Sequence, residues 1–111
     1  MKILITGAAG QIGSGLAKRI CDKHELTLVD NLRNGYLQHL KDDEGEFIAP
    51  FHDIDIAGAD LFTHCGTKYD SYDAIIHLAA ISSLPDCETN PLETLHCNVA
   101  ATANVLDFAR K

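Results

Sequence analysis

The sequence predicts an α/β domain in which helices cover both faces of a parallel β-sheet. Short apolar segments alternate with helical patterns along the chain, and such segments are typical of strands buried on both faces. A glycine-rich turn directly follows the first of these segments. With 111 residues, 46% of them apolar, the chain is long enough for a single domain with a substantial core, which we assign to residues 1–111.

The first strand is Lys2–Thr6, a short run of apolar and β-branched residues. Three glycines follow at three-residue spacing and predict a sharp turn into a helix. They are Gly7, Gly10 and Gly13. The helix repeats an apolar residue at every fourth position, which indicates one buried face. These residues are Ile12, Leu16 and Ile20.

The second strand, Leu26–Val29, ends at Asp30, and residues 31–35 have the composition of a turn. Residues 36–42 predict a short helix. The third strand is Glu46–Ala49, closed by Pro50, and acidic residues alternate with isoleucine over 52–56. A further short helix is expected within 57–66.

The fourth strand, Asp73–Ala79, is the most apolar of the set, and residues 81–88 are expected to form a loop. The last helix runs to about residue 110 and has the clearest start signal in the chain. Asn90 is its N-cap and Pro91 its first helical residue, and Glu93 can bond back to the cap. Right-handed crossovers between parallel strands then give the strand order 3-2-1-4, which is half of a Rossmann fold.

Composition excludes several classes of partner. The net charge is −7, the pI is about 5.1 and no basic cluster offsets the acidic residues, so nucleic acid and anionic membranes are not expected partners. No apolar run approaches the ~18 residues of a membrane span or forms a signal-peptide core, which favours a cytoplasmic protein. Four cysteines without a C-x-x-C pair indicate reduced thiols. The His-Cys pairs at 64–65 and 96–97 are adjacent in sequence, so no metal site is predicted.

The glycine turn is the first candidate site. A strand that turns sharply into a helix aims the first free N–H groups of that helix at one point, where the helix dipole is also positive. We expect a dinucleotide pyrophosphate at Gly7–Gly13. The G-x-x-G-x-x-G spacing differs from the commoner G-x-G-x-x-G, and three glycines in seven residues are a weak signal alone, so a glycine-rich turn without a ligand is the alternative.

Asp30 strengthens the dinucleotide hypothesis, because it ends the second strand twenty residues after Gly10. A carboxylate there can accept both hydroxyls of an adenosine ribose and repels a 2′-phosphate, which favours NAD over NADP. Arg33 is the one residue that argues for NADP. Asp53 and Ile54 follow the third strand, where an adenine would lie. The alternative for Asp30 is an N-cap or a solvated strand end, and the alternative for Asp53 and Ile54 is a surface turn.

Five motifs occur in order and together resemble one family. They are TGAAGQIG (6–13), VDNLRNG (29–35), DI (53–54), HLAA (77–80) and NPLETLHCNVAAT (90–102). This set resembles the NAD-binding N-terminal half of the extended short-chain dehydrogenase/reductases. Within them it is most similar to the NAD-dependent epimerase/dehydratase family, which includes the UDP-glucose 4-epimerases, and the resemblance covers essentially the whole chain.

The resemblance implies NAD as the cofactor and assigns a place to each site residue. These are Gly7, Ala9, Gly10, Gln11, Ile12 and Gly13 in the pyrophosphate loop, Asp30 and Asn31 at the adenosine ribose, Asp53 and Ile54 at adenine, Leu78, Ala79 and Ala80 beside the middle of the cofactor, Ser82 near the nicotinamide ribose or substrate, and Asn98 in support of the active site.

The catalytic pair of the resembling family is not found in this sequence. That pair is Tyr-x-x-x-Lys, and the residues four positions after the three tyrosines are Leu40, Asp73 and Ile76. We therefore predict no catalytic residue, and expect a truncated Rossmann fold that lacks the family's C-terminal catalytic and sugar-binding part. The chain is expected to be either the NAD-binding portion of a nucleotide-sugar epimerase or dehydratase, or a non-catalytic dinucleotide-binding or regulatory module that pairs with another subunit.

The last helix carries two apolar stripes. One is Leu92, Leu95, Val99 and Leu106, and the other is Ala101, Val105 and Phe108. One stripe can cover the sheet and the other needs a partner. The resemblance implies a helical bundle in a dimer, so we predict a homo-oligomer formed through residues 92–110.

Overall fold

The structure is a computed structural model that describes residues 1–58, 61, 65 and 71–110. Its strands are β1 (Lys2–Thr6), β2 (Glu25–Asp30), β3 (Phe51–Asp53) and β4 (Ala74–His77). Its described helices are α1 (Gln11–Ile20), α2 (Leu84–Thr89) and α3 (Pro91–Ala109), and a 3-10 turn spans Leu37–Leu40. Among the described residues, no helix combines the length and apolar character that a membrane crossing needs.

The four strands form one parallel sheet in the order β3-β2-β1-β4, which confirms the predicted topology. β1 lies at the centre, where Thr6 pairs with Val29 on one side and His77 on the other. Asp30 pairs with Asp53 at the end of β3. The carboxyl ends of all four strands therefore meet along one edge of the sheet, and the loops that follow them share a single surface.

Both faces of the sheet are covered, as the apolar strands predict. Alternate residues of β1 face opposite sides, so that Ile3 and Ile5 pack with α1 while Leu4 packs with α3. The α1 side is completed by small residues, Ala8, Ala9 and Ala17, and the α3 side by Ala101 and Val105. Small side chains let each helix approach the sheet closely.

The third strand lies five residues later than predicted. Residues 41–48 instead form a short antiparallel excursion, in which Lys41 pairs with Phe47 across a turn at Gly45, where φ is +81°. The Asp42 carboxylate accepts the N–H groups of residues 44 and 46 and so fixes this turn. Pro50 precedes the strand, and its carbonyl accepts the Leu28 N–H at 2.8 Å.

Two further expectations need correction. Residues 81–88 are not only a loop, because α2 occupies Leu84–Thr89 with a proline in its first turn. Asn90 is the N-cap of α3, and its carbonyl accepts the first hydrogen bond of the helix from the Thr94 N–H, but its side chain makes no capping hydrogen bond. The short helix predicted over 36–42 is the 3-10 turn. The helix expected within 57–66 lies mostly outside the described residues.

Candidate functional site

A cleft of about 480 Å³ opens above the carboxyl ends of the strands. It lies where the strand order reverses, between β1 and β4, because the chain passes from β3 at one edge of the sheet to β4 at the other. Open parallel sheets bind ligands at such a point. Four chain segments and one helix residue line it. These are Gly7 and Gly10–Gly13, Val29–Asn31 with Arg33–Gly35, Ile54–Ile56, Leu78–Ser83, and Cys97 of α3.

Most of the residues that the sequence assigns to a cofactor line this cleft. The three that do not are Ala9, Asp53 and Asn98. Ala9 is fully buried, Asp53 is exposed at the end of β3, and Asn98 is held by the loop after β4. The cleft therefore brings together segments that are far apart in the sequence, with Ile12 and Ile81 separated along the chain by most of its length.

Ile12 shows why one sequence expectation fails. Its four-residue spacing to Leu16 and Ile20 predicts a packed position, but 75% of Ile12 is exposed, while Leu16 and Ile20 pack against the core. Ile12 stands in the first turn of α1 and lines the cleft instead. The first turn of α1 does reach the core, because Gly13 and Ser14 are buried, but the buried face of the helix runs through Gly13 and Ala17 and leaves Ile12 outside it.

Two glycines of the turn are required by the fold itself. Gly7 has φ +70°, and a Cβ there would stand 2.6 Å from the Leu78 carbonyl carbon. At Gly13 a Cβ would overlap the Gly7 carbonyl oxygen and stand 2.9 Å from Ala8 Cα. These contacts bring α1 and the segment after β4 against the turn.

Gly10 differs, because the protein leaves room for a side chain there. A Cβ on Gly10 would meet one atom, the Gly7 carbonyl oxygen at 3.4 Å. Gly10 is the N-cap of α1, has no side chain to cap the helix, and is followed by a first turn without an acidic residue. The first N–H groups of α1, at residues 11–13, therefore face the cleft without a capping group from the described chain.

Ala9 and Asp30 join the glycine turn to the end of β2. The Ala9 N–H donates to Asp30 Oδ2 at 2.9 Å, and the Leu32 N–H donates to Asp30 Oδ1 at 2.7 Å. The Ala9 carbonyl accepts the Tyr36 N–H at 3.2 Å. Because both Ala9 backbone groups are used within the protein, Ala9 positions the turn rather than offering a donor to the cleft. The Asp30 carboxylate keeps further lone pairs, since it can accept about four hydrogen bonds.

The segment after β3 is fastened to α3. Asn104 donates from Nδ2 to the Ile56 carbonyl at 2.6 Å and to the Ala57 carbonyl at 3.2 Å. The Ile54 N–H donates to the Asp30 carbonyl at 3.2 Å. Ile54 is thereby held in the cleft wall next to Asp30.

A hydrogen-bonded chain crosses from β1 through β4 to α3. Thr102 donates its hydroxyl proton to the Asn98 carbonyl at 2.7 Å, so at 3.1 Å it accepts from His77 Nε2–H. His77 Nδ1 is then the acceptor of the Thr6 hydroxyl at 2.7 Å. Burial lowers the pKa of His77, which agrees with this neutral tautomer. His77 is a structural link rather than a metal ligand.

The same chain ends at the loop that lines the cleft. Thr6 Oγ1 accepts the N–H groups of Leu78 at 3.1 Å and Ala79 at 3.3 Å. Asn98 accepts the Ile81 N–H at 2.8 Å and donates to the Ile81 carbonyl at 3.0 Å. Asn98 therefore supports the cleft from behind, by fixing the segment that begins after β4.

Several residues that line the cleft have no role predicted from the sequence. Asn34 and Gly35 line the cleft and belong to the VDNLRNG motif. Their position directly after β2 was a usable signal that they lie at the site. No role was predicted for Cys97. Its spacing from Ala101 and Val105, one and two helical turns later, places it on the buried face of α3 and was a usable signal. Burial, followed by the nearby Asp55 carboxylate, raises the pKa of the Cys97 thiol, which makes it a poor nucleophile.

Known proteins share both the sequence and the fold. A sequence model of the NAD dependent epimerase/dehydratase family matches residues 3–111. UDP-glucuronic acid decarboxylase 1 of Danio rerio is 35% identical over 113 residues, which are 99% of this chain and 25% of that protein. The dTDP-glucose 4,6-dehydratase of Salmonella typhimurium is 36% identical over 114 residues, which are 100% of this chain and 31% of that protein.

A solved structure agrees with these relatives. UDP-glucose 4-epimerase from Brucella ovis, in complex with NAD, superposes with a TM-score of 0.80 at 26% identity, and the match covers 98% of this chain and 33% of that one. The chain thus spans about a quarter to a third of the length of the proteins that it matches. The matching family is NAD dependent, and NAD is the cofactor predicted from the sequence.

Proposed function

The chain belongs to the NAD-dependent epimerase/dehydratase family, and from this premise we propose that it is the NAD-binding portion of a nucleotide-sugar epimerase or dehydratase. The cofactor would lie in the cleft above the carboxyl ends of the strands. The names of the relatives support a nucleotide sugar as the class of substrate. The residues that recognise the sugar would lie in a part of such proteins that this chain does not span.

One observation carries the cofactor assignment. Gly10 leaves open space directly at the N-terminus of α1, although the fold itself does not require a glycine there. An anion in that space would accept from the free N–H groups of residues 11–13, and a side chain at position 10 would occupy the same space. A pyrophosphate fits this description, because it is a compact dianion that needs several donors at one point.

The remaining residues of the cleft would orient the cofactor. Asp30 would accept the hydroxyls of the adenosine ribose with the lone pairs that Ala9 and Leu32 leave unused. Ile54 would pack on adenine, with the exposed Asp53 carboxylate beside its amino group. Ala79, Ala80 and Ser82 would lie along the cofactor towards the nicotinamide. In a nucleotide-sugar epimerase or dehydratase, NAD held by these residues would supply the hydride acceptor.

Catalysis needs groups that this sequence does not contain. No lysine stands four residues after any tyrosine, so the Tyr-x-x-x-Lys pair is missing from the 111 residues. We therefore propose that the chain binds NAD but does not turn over a nucleotide sugar. A dinucleotide-binding or regulatory module that pairs with another subunit is the second candidate, and the exposed face of α3 favours it. Epimerase or dehydratase activity of this chain by itself would contradict both.

The replacement of Gly10 by alanine tests the cofactor site. We expect Gly10→Ala to weaken NAD binding at least about tenfold, because the methyl group would occupy the space of the pyrophosphate while the fold has room for it. NAD titration followed by fluorescence or calorimetry measures the dissociation constant. Circular dichroism checks that the variant remains folded.

Gly15→Ala is the matched control. Gly15 is an exposed residue of α1, and a Cβ there meets nothing within 4 Å. This variant should bind NAD like the parent chain. Equal NAD affinity in Gly10→Ala and the parent chain would rule out a pyrophosphate at this turn.

We also propose that α3 joins two copies of the chain. Ala101 and Val105 cover the sheet, whereas the other stripe is open, with 80% of Leu92, 61% of Leu95, 60% of Val99 and 65% of Leu106 exposed. The spacing of this stripe is that of a coiled-coil seam, which pairs well with a copy of itself about a two-fold axis. Such an arrangement would bury these four side chains.

Sedimentation velocity tests this association. We expect the chain to sediment as a dimer at high concentration and Leu95→Glu/Val99→Glu to shift it to monomer, because charges in a buried seam are costly. Leu84→Glu is the control, since Leu84 of α2 is 68% exposed and lies outside the seam. A parent chain that stays monomeric at every concentration would contradict the proposal.

A further inference from the structure

The guanidinium of Arg33 is held at the rim of the cleft by two acidic residues from distant parts of the chain. Arg33 Nη2 lies 3.5 Å from Asp86 Oδ1 of α2, and Arg33 Nη1 donates to Glu93 Oε1 of α3. About 30% of the Arg33 and Asp86 side chains is exposed, so this pairing is partly shielded from solvent. The segment after β2 is thus tied to the two helices that follow β4.

Arg33 is the only basic side chain among the described residues that line the cleft, and it lies three residues after Asp30. In this position a free guanidinium would attract a phosphate on the ribose 2′-oxygen, because its planar fork donates two parallel hydrogen bonds to phosphate oxygens. Here the fork is directed to Asp86 and Glu93. The cluster of one cation and two anions carries a net charge of −1.

From this geometry we infer that Asp86 and Glu93 are selectivity residues, which hold Arg33 in ion pairs and thereby exclude NADP in favour of NAD. The inference rests on the proposed function, because it needs the adenosine ribose to lie at Asp30. A 2′-phosphate would have to break both ion pairs of Arg33. It would also bring its charge close to Asp30, Asp86 and Glu93 together.

The neutral variant Asp86→Asn/Glu93→Gln tests the inference, since it keeps the shape of both side chains and removes their charge. We expect its affinity for NADP to rise at least about tenfold, with NAD affinity changed less than about twofold. Both dissociation constants are measured by titration at low salt. At high salt the gain should shrink, because salt screens the attraction between the 2′-phosphate and the freed guanidinium. Glu93→Gln without the second substitution should give an intermediate gain.

The triple variant Arg33→Ala/Asp86→Asn/Glu93→Gln separates a freed guanidinium from a merely less acidic rim. The NADP gain must disappear in it, and a gain that persists without Arg33 would overturn the inference. Thermal unfolding of each variant checks the fold, since a purely structural tie would lower stability and leave the NADP to NAD ratio unchanged.

Two failures remain distinct. A parent chain that binds neither NAD nor NADP overturns the proposed function, and the selectivity inference with it. A parent chain that binds NAD, together with a folded double variant that shows no NADP gain, overturns the selectivity inference and leaves the cofactor site in place.

Discussion

Replacing Gly13 by alanine is expected to lower the free energy of unfolding by about 3 kcal/mol or more, at the upper end of the range for an overpacked core. The added Cβ would overlap the Gly7 carbonyl oxygen and stand 2.9 Å from Ala8 Cα. Both neighbours are backbone atoms, so no rotamer change can relieve the clash. Either α1 must move away from the sheet or the glycine turn must open.

Neither movement is easy for this fold. Gly7 is itself fixed against the backbone of Leu78 and Ala79, and Ala8 and Ala17 are fully buried beside it. Displacing α1 would therefore open the core on one face of the sheet. A domain of this size has a total stability of roughly 5–15 kcal/mol, so the loss is a large fraction of the whole.

Urea or thermal unfolding followed by circular dichroism measures the effect. Gly15→Ala is the control, because Gly15 lies two residues along the same helix with open space around it. Alanine should stabilise that position by about 0.5–1 kcal/mol through its higher helix propensity. If Gly13→Ala unfolds at the same midpoint as the parent chain, α1 does not rest on the glycine turn as described.

The strand order and the main cleft segments were predictable because their signals are local. An apolar strand followed by Gly7, and a second strand that ends at Asp30, place two binding segments at one sheet edge once the strands are parallel. The cleft then follows from topology. Both binding segments could therefore be predicted without any knowledge of how the side chains pack.

The third strand was misplaced because pairing, not propensity, decides it. The residues of Glu46–Ala49 favour a strand, but Asp42 and Gly45 form a turn that folds this segment back on Lys41. Only three residues, Phe51–Asp53, pair with β2. So short a strand has no periodic signal of its own.

Long-range side-chain partners were the least predictable feature. The ion pairs of Arg33 with Asp86 and Glu93 join residues 53 and 60 positions apart, and no local pattern indicates them. From the sequence Arg33 argued for NADP, and only the folded chain shows that its charge is already paired. The expected role of Glu93 in capping α3 was wrong in the same sense, because the Asn90 N–H donates to the Asp86 carbonyl and the Glu93 carboxylate faces Arg33.

Replacing Thr6 by valine is expected to cost about 2–3 kcal/mol of the free energy of unfolding, although the two side chains have nearly the same shape. Thr6 is fully buried, and its Oγ1 accepts the Ala79 N–H at 3.3 Å while it donates to His77 Nδ1 at 2.7 Å. Valine leaves both partners without that bond. The Leu78 N–H is affected less, because it also donates to the Thr6 carbonyl at 3.1 Å.

The same substitution should also reach the cleft and the titration of His77. Leu78 and Ala79 line the cleft, so the loss of their anchor should weaken NAD binding as well as stability. The Thr6 hydroxyl donates to the neutral form of the imidazole, so its removal should raise the pKa of His77, which burial lowers in the parent chain. Proton NMR titration of the histidine ring measures this shift.

Thr6→Ser distinguishes the hydroxyl from the packing of the methyl group. Serine keeps Oγ1 and loses one methyl, so it should cost only about 1 kcal/mol and leave the pKa of His77 and the NAD affinity close to those of the parent chain. If Thr6→Val is as stable as the parent chain while Thr6→Ser is destabilised, the methyl group and not the hydroxyl matters at this position. In that case the hydrogen-bonded chain from β1 through His77 to α3 does not hold the cleft in shape.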